Sequence, residues 1–175
     1  MEKHLMELNQ GDWIVHSRYG LGQVIGVEEK SLDEGIQPYF NVKTDSFSYW
    51  ISKSNLTSGR IRRIGQAEDF YKAMTLISAE PALLDENFRS RLQGINDLID
   101  ENSILSKAQL IRDIHARNFR KDIHANERGM LEYIKDQFVE EFMVSCQISE
   151  KTARAQIKDA LEKSCANIKP KKPAF

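Results

Sequence analysis

Cysteine is scarce in this 175-residue chain, with Cys146 and Cys165 the only two. Neither sits in CxxC spacing or beside clustered histidines, which argues against a zinc site, and two thiols on separate predicted helices read as buried and reduced. No stretch approaches the ~18 apolar residues of a membrane span, and the opening Met1-Glu2-Lys3-His4 lacks the apolar run of a secretory leader. A cytosolic protein with no membrane partner is expected. An excess of one charge is missing too: 25 basic side chains face 26 acidic ones, for a net charge of −1. No global field draws such a molecule onto nucleic acid, so any DNA contact must come from a local patch.

Catalytic signatures are equally absent. There is no GxSxG elbow, no Walker-type glycine loop, no HExxH and no carboxylate cluster with metal spacing. The run Leu21-Gly22-Gln23-Val24-Ile25-Gly26 misses the dinucleotide fingerprint because it leads into a strand rather than a helix. His115 and His124 flank a basic connector and read as surface or capping residues, not as an acid–base pair. An enzyme is not expected, and neither a cofactor nor a small-molecule substrate follows.

What the chain does have begins with a glycine-bearing hairpin. Trp13 to His16 is rich in β-formers, Ser17-Arg18-Tyr19-Gly20 has turn composition, and an extended pattern resumes from Gly22 to Glu29. Gly20, Gly22 and Gly26 exceed what a flat hairpin needs; they suit a strand that bends sharply or lets another backbone come close. Ser31 to Gln37 reads as a polar loop, with Pro38 at the start of the next strand. Tyr39 to Thr44 and Phe47 to Ser52 form a second hairpin about Asp45-Ser46, and Arg60 to Ile64 is a short final strand. Five strands this short predict a small Tudor-like or SH3-like barrel over residues 1–65, which would remove most open edges. Residues 1–10 read as a frayed lead-in.

At Gly65 the apolar period changes to that of a helix. Five helices are expected over 66–168: Gln66 to about Ala79, stopping before Pro81; a second capped by Asp85 and carrying Phe88, Leu92, Ile95 and Ile99; a third opened by the capping box Ser106-Lys107-Ala108-Gln109; a fourth from about Ala125 to Cys146; and a fifth capped by Ser149. The fold class is therefore α+β, a five-stranded barrel followed by an all-α five-helix domain. The proline-bearing basic tail over 169–175 is expected to be disordered. Residues 1–65 hold eight basic and eight acidic side chains and the remainder 17 and 18. Yet Lys107, Arg112, Arg117, Arg120, Lys121 and Arg128 face only Asp113, Asp122 and Glu127 within the segment 107–128, a local basic excess.

The run GDWIVHSRYGLGQVIGVEE, followed by Tyr39-Phe40-Asn41-Val42, Tyr49-Trp50-Ile51-Ser52 and Ile61-Arg62-Arg63-Ile64, resembles the bacterial CarD and CdnL family. Its barrel module is shared with the polymerase-interacting domain of transcription-repair coupling factors. Leu110-Ile111-Arg112-Asp113-Ile114 and Asn126-Glu127-Arg128-Gly129-Met130-Leu131 are similar to the helical domain specific to CarD-type regulators, and the resemblance spans roughly Leu8 to Ala160. It implies that the barrel docks on the β subunit of bacterial RNA polymerase and holds the helical domain over promoter DNA at the upstream edge of the bubble. The polymerase contacts then fall on Lys30 and Trp50, the latter where relatives often carry a basic residue. Relatives also place a minor-groove tryptophan near the start of the second helix; here Phe88 aligns with it, as a wedge or as a core residue in register with Leu92 and Ile95. Arg89, Arg91, Arg117, Arg120, Lys121 and Arg128 become candidates for phosphate contacts.

Two other readings compete. One is an adaptor whose helical domain binds protein and never touches DNA. The other is a reader of methylated cations caged by Trp13, Tyr19, Tyr39 and Trp50.

Overall fold

The computed structural model describes residues 6–32 and 35–168; the basic tail lies outside them. The chain forms two compact units, one running to Ile64 and including Asp100–Asn102, the other made of Gly65–Ile99 and Ser103 onward.

The first unit is a five-stranded antiparallel sheet: β1 (Trp13–His16), β2 (Gly20–Leu32), β3 (Gly35–Lys43), β4 (Ser48–Ser52) and β5 (Ile61–Arg63), in the order β4-β3-β2-β1-β5. One face encloses Leu8, Ile14, Val24, Phe40, Val42, Ile51, Leu56 and Ile61. Burying such a side chain contributes about 1.5–3 kcal/mol. Leu8 belongs to this core, so the lead-in is not frayed at that point. The ladder does not join β4 to β5; a 3₁₀ turn at Lys53–Thr57 carries the chain from one edge to the other. Among the described residues β4 therefore keeps an outer edge that no strand pairs, one of the few that the expected barrel leaves open.

Two local features shape the sheet. At Gly22 an added Cβ would lie 2.6 Å from Val42 Cγ1, so the strands approach there at a distance only glycine permits. Between Val24 and Gly26 the β2–β3 register shifts, leaving Ile25 as a bulged residue. The predicted polar loop over Ser31 to Gln37 is instead mostly strand, with Ser31 paired to Ile36 and Leu32 to Gly35. Ser31, Gly35 and Ile36 on that arm are all exposed, so burial imposes no apolar alternation on them in the sequence.

The second unit holds α1 (Ala67–Ser78), most of α2 (Phe88–Glu101), α3 (Ile104–Phe119), α4 (Ala125–Cys146) and α5 (Glu150–Cys165). Its core centres on Phe70, stacked on Phe142 at 5.0 Å and edge-on to Phe138 at 5.3 Å, with Ile77, Ile95, Leu110, Ile111, Ile114, Leu131 and Ile157 around them. Gly65 is fixed on both sides: its N–H donates to Glu141 Oε1 at 3.0 Å, its carbonyl accepts from Ser145 Oγ at 2.9 Å, and a Cβ would sit 2.0 Å from Ile104 Cδ1.

Two helix starts differ from expectation. Asn87, not Asp85, caps α2, its Oδ1 accepting from the N–H groups of Arg89 and Ser90 at 3.0 and 3.2 Å. Ser103 caps α3, accepting from Ser106 N at 2.9 Å, so the helix opens at Ile104 and Ser106 is its third residue rather than its cap. Both corrections have one cause: several adjacent short polar side chains can each cap a helix, and packing selects among them. The Ser149 cap of α5 is as expected, accepting from Thr152 N at 3.1 Å. Among the described residues no helix is long and apolar enough to cross a membrane.

Candidate functional site

Each unit carries one candidate surface. On the first, directly paired residues share a sheet face, so Asn41 opposite Trp50 and Glu28 opposite Tyr39 all point away from the core. Trp50 is 45% exposed, and the reading that packs it into the barrel fails. Its ring is nonetheless held. Lys30 Nζ lies 3.1 Å from the ring centroid, and the indole N–H donates to Glu28 Oε2 at 2.9 Å. The other carboxylate oxygen of Glu28 accepts from Asn41 Nδ2 at 2.7 Å. These hydrogen bonds, from Asn41 foremost and then Trp50, together with the nearby Lys30 ammonium, hold the Glu28 carboxyl below its usual pKa.

Sequence reasoning singled out Lys30 and Trp50 but not Glu28 and Asn41, which the structure brings beside them. Glu28 had a signal, since it lies two residues from Lys30 on one strand and so on the same face. Asn41 had none, because its place opposite Trp50 depends on the register.

The four rings weighed as a methyl-cation cage do not surround one pocket. Tyr19 stacks on His16 at 4.3 Å and meets Phe47 and Tyr49, while Trp50 sits with Lys30 and Glu28. Burial, with the charges of Arg60 and Arg18, lowers the His16 pKa. Its Nδ1 accepts from the N–H groups of Arg18 and Tyr19, at 3.1 and 3.3 Å.

On the second unit the starts of α2 and α4 converge. Phe88, the first residue of α2, meets the His124 ring edge-on at 4.9 Å and lies 5.6 Å from the Arg91 guanidinium carbon. It is half-buried and stands outside the core cluster that contains Ile95. His124 is the residue before α4, and its N–H donates to Glu127 Oε2 at 2.9 Å. Two helix N-termini, each with partial positive charge, thus meet at one place.

The candidate cations divide sharply. Arg91 is only 3% exposed. It donates through Nε to Glu127 Oε1 at 2.5 Å, and through a terminal nitrogen to the carbonyls of Asp85 and Glu86 at 2.6 and 2.9 Å. Burial alone would raise the Glu127 carboxyl. The hydrogen bonds from Arg91 and the His124 backbone, with the charges of Arg91 and Arg117, outweigh it and hold the pKa below the ordinary value. Arg117 is mostly buried, 3.4 Å from Asp122 and 4.0 Å from Glu127. Arg91 and Arg117 are therefore internal ion-pair partners, not surface groups, a correction to their place among the phosphate contacts. Arg89, Lys121 and Arg128 are exposed and Arg120 is half-exposed.

Arg112 is likewise buried, paired with Asp113 at 2.6 Å, while Asp113 accepts from Ala82 N at 2.9 Å. The helical motifs noted in the sequence thus hold buried charges. Among the described residues no His, Cys, Asp or Glu group could hold a metal, and burial pushes both thiols, Cys146 and Cys165, above their usual pKa.

Residues 72–158 match the family model described as CarD, C-terminal domain. The chain is also similar to the putative transcription factor YdeB of Bacillus subtilis (strain 168), 24% identical over 147 residues that cover 83% of this chain and 96% of that protein.

Proposed function

From a chain that belongs to the CarD family, and so is a transcription regulator, we propose a division of labour between its two units. The β unit docks on the β subunit of bacterial RNA polymerase through the face bearing Lys30 and Trp50. The helical unit contacts promoter DNA at the upstream edge of the bubble with Phe88, Arg89, Arg120, Lys121 and Arg128.

The observation that carries this reading is Trp50: a large ring kept in solvent on a sheet face, fixed by a cation above it and a carboxylate at its N–H. Tryptophan and flanking polar groups in such an arrangement have the composition of a binding hot spot. The unpaired outer edge of β4, on which Trp50 sits, supplies backbone groups for a partner strand. At the second surface, Phe88 is half-exposed where two helix N-termini meet beside Arg89 and Arg128. That combination suits a phosphate backbone with an apolar ring set against a base step.

The chemistry asked of the protein is differential binding. Contacts available only once the duplex has melted would draw the closed-to-open equilibrium toward open. Tethering through the β unit raises the local concentration of the helical unit at DNA, so a near-neutral chain needs little affinity of its own. Retention of purified polymerase by the full-length chain tests the first half. Trp50→Ala is expected to abolish or severely weaken it, and retention equal to the parent's would end the proposal.

One observation favours the adaptor as a second reading. Arg91 and Arg117 are consumed internally, which leaves fewer cations for DNA than the sequence promised. Forked promoter DNA bound to polymerase separates the two readings. If reversing Arg89 and Arg128 together changes nothing, the helical unit serves a protein partner instead.

A further inference from the structure

We infer that Glu28 is a positioning residue for the polymerase contact: its carboxylate holds the exposed Trp50 ring beneath Lys30, so that ring and ammonium are presented as one preformed unit. The inference rests on the reading that Trp50 and Lys30 face polymerase.

An exposed tryptophan on a strand normally samples several rotamers, and a lysine on the same face samples more. Here both are tied. Glu28 Oε2 takes the indole N–H at 2.9 Å, Oε1 takes the Asn41 amide at 2.7 Å, and Lys30 Nζ rests 3.1 Å from the ring centroid. Asn41 lies directly across from Trp50, so it braces the carboxylate from the strand between. Restricting these rotors before association spares part of that ordering at the interface, and the saving of one such side chain is worth about three- to tenfold in affinity.

The arrangement also sets the chemistry of the contact. One carboxylate and one ammonium flank the ring, so the patch carries no net charge. A partner must offer an apolar recess for the indole and an acceptor for Lys30, and it gains little from being strongly acidic.

Glu28→Ala, Glu28→Gln and Trp50→Ala in the full chain test this with two readouts. The first is the indole N–H signal of Trp50 in the free protein, assigned by its loss in Trp50→Ala and read against Trp13, the other tryptophan. The second is affinity for purified polymerase. Glu28→Ala is expected to shift the Trp50 signal, hasten its solvent exchange, leave Trp13 unmoved and weaken polymerase binding about three- to tenfold. Glu28→Gln is expected to retain most of both. Its amide oxygen can keep the indole N–H, while its amide nitrogen donates to Asn41 Oδ1, which is buried and has no hydrogen-bond partner among the described residues.

An unmoved Trp50 signal in Glu28→Ala overturns the inference. So does equal loss in both Glu28 variants, which would make the charge and not the geometry responsible, and so does unchanged binding in Glu28→Ala where Trp50→Ala fails to bind. If the signal moves as expected but Trp50→Ala binds polymerase as the parent does, positioning stands and the docking surface is elsewhere.

Discussion

Glu127→Gln is expected to destabilise the helical unit severely although it removes only one charge. In the parent, Glu127 Oε1 meets Arg91 Nε at 2.5 Å and Oε2 accepts the His124 N–H at 2.9 Å, with both side chains of the ion pair 1% exposed. An amide fills the same space but has one acceptor where two are needed, so its N–H₂ must face either Arg91 or the His124 N–H, donor against donor. The guanidinium of Arg91 then stays buried without a counter-charge, and Arg117 loses one as well. Removing one partner of a buried pair costs about 3–5 kcal/mol. For a unit of about 100 residues each kcal/mol moves the melting temperature by about 4–8 °C, so a fall of at least ~12 °C is expected.

Replacing both partners, Arg91→Met with Glu127→Met, is expected to cost far less than the single change. Thermal melts followed by circular dichroism at neutral pH decide this. The pH dependence has a definite sign. Because the folded pKa of Glu127 lies below its ordinary value of 4.5, its contribution is complete above that value and is lost as pH falls through the lower, folded one. The parent should therefore lose stability below about pH 4.5 more steeply than Glu127→Gln. If Glu127→Gln melts within about 1 kcal/mol of the parent, the account of Arg91 as a structural group is wrong.

Other outcomes follow from the same geometry. Binding to polymerase should be only weakly salt-dependent, falling no more than about threefold between low and physiological ionic strength, because exposed charges are screened and ring burial is not; a steep loss by surface plasmon resonance would favour ion pairing. Arg89→Glu with Arg128→Glu should weaken forked promoter DNA binding by the polymerase complex and lower the slope of log affinity against log salt by roughly one per lost phosphate contact. Gly22→Ala should cost about 1–3 kcal/mol in denaturant unfolding, since its methyl would press on the stiff Val42 side chain.

Local pattern made most of the architecture legible. The change of apolar period at Gly65 marks the start of the helical unit, and the stripe from Leu131 through Ile134, Phe138 and Phe142 faces its core as periodicity requires. The arm beyond Glu29 was missed because Ser31, Gly35 and Ile36 on it are all exposed. The caps of α2 and α3 were misplaced because Asp85, Asn87, Ser103 and Ser106 are chemically interchangeable until the helix packs. Charge was harder to read than shape. In sequence, Arg91 looks like Arg89, and only the arrival of Glu127 from another helix turns one into an internal tie while leaving the other in water. Lys30 and Trp50 were singled out through resemblance, Glu28 was legible only from its spacing to Lys30, and Asn41 needed the strand register.

The bulged residue at Ile25 has a consequence for how this surface could change over generations. Val24 points inward, so strict alternation would send Gly26, Glu28 and Lys30 inward as well and turn Val27 and Glu29 toward Trp50. The extra residue inverts that parity for the outer half of β2 while the inner half stays in phase with the core. A single-codon deletion of Ile25 would leave Val24 opposite Val42 and Gly26 opposite Asn41 in one regular ladder, with Glu28 and Lys30 still on the face of Trp50. The strand can thus differ in length by one residue at this point while the interior and the outer face keep the same side chains.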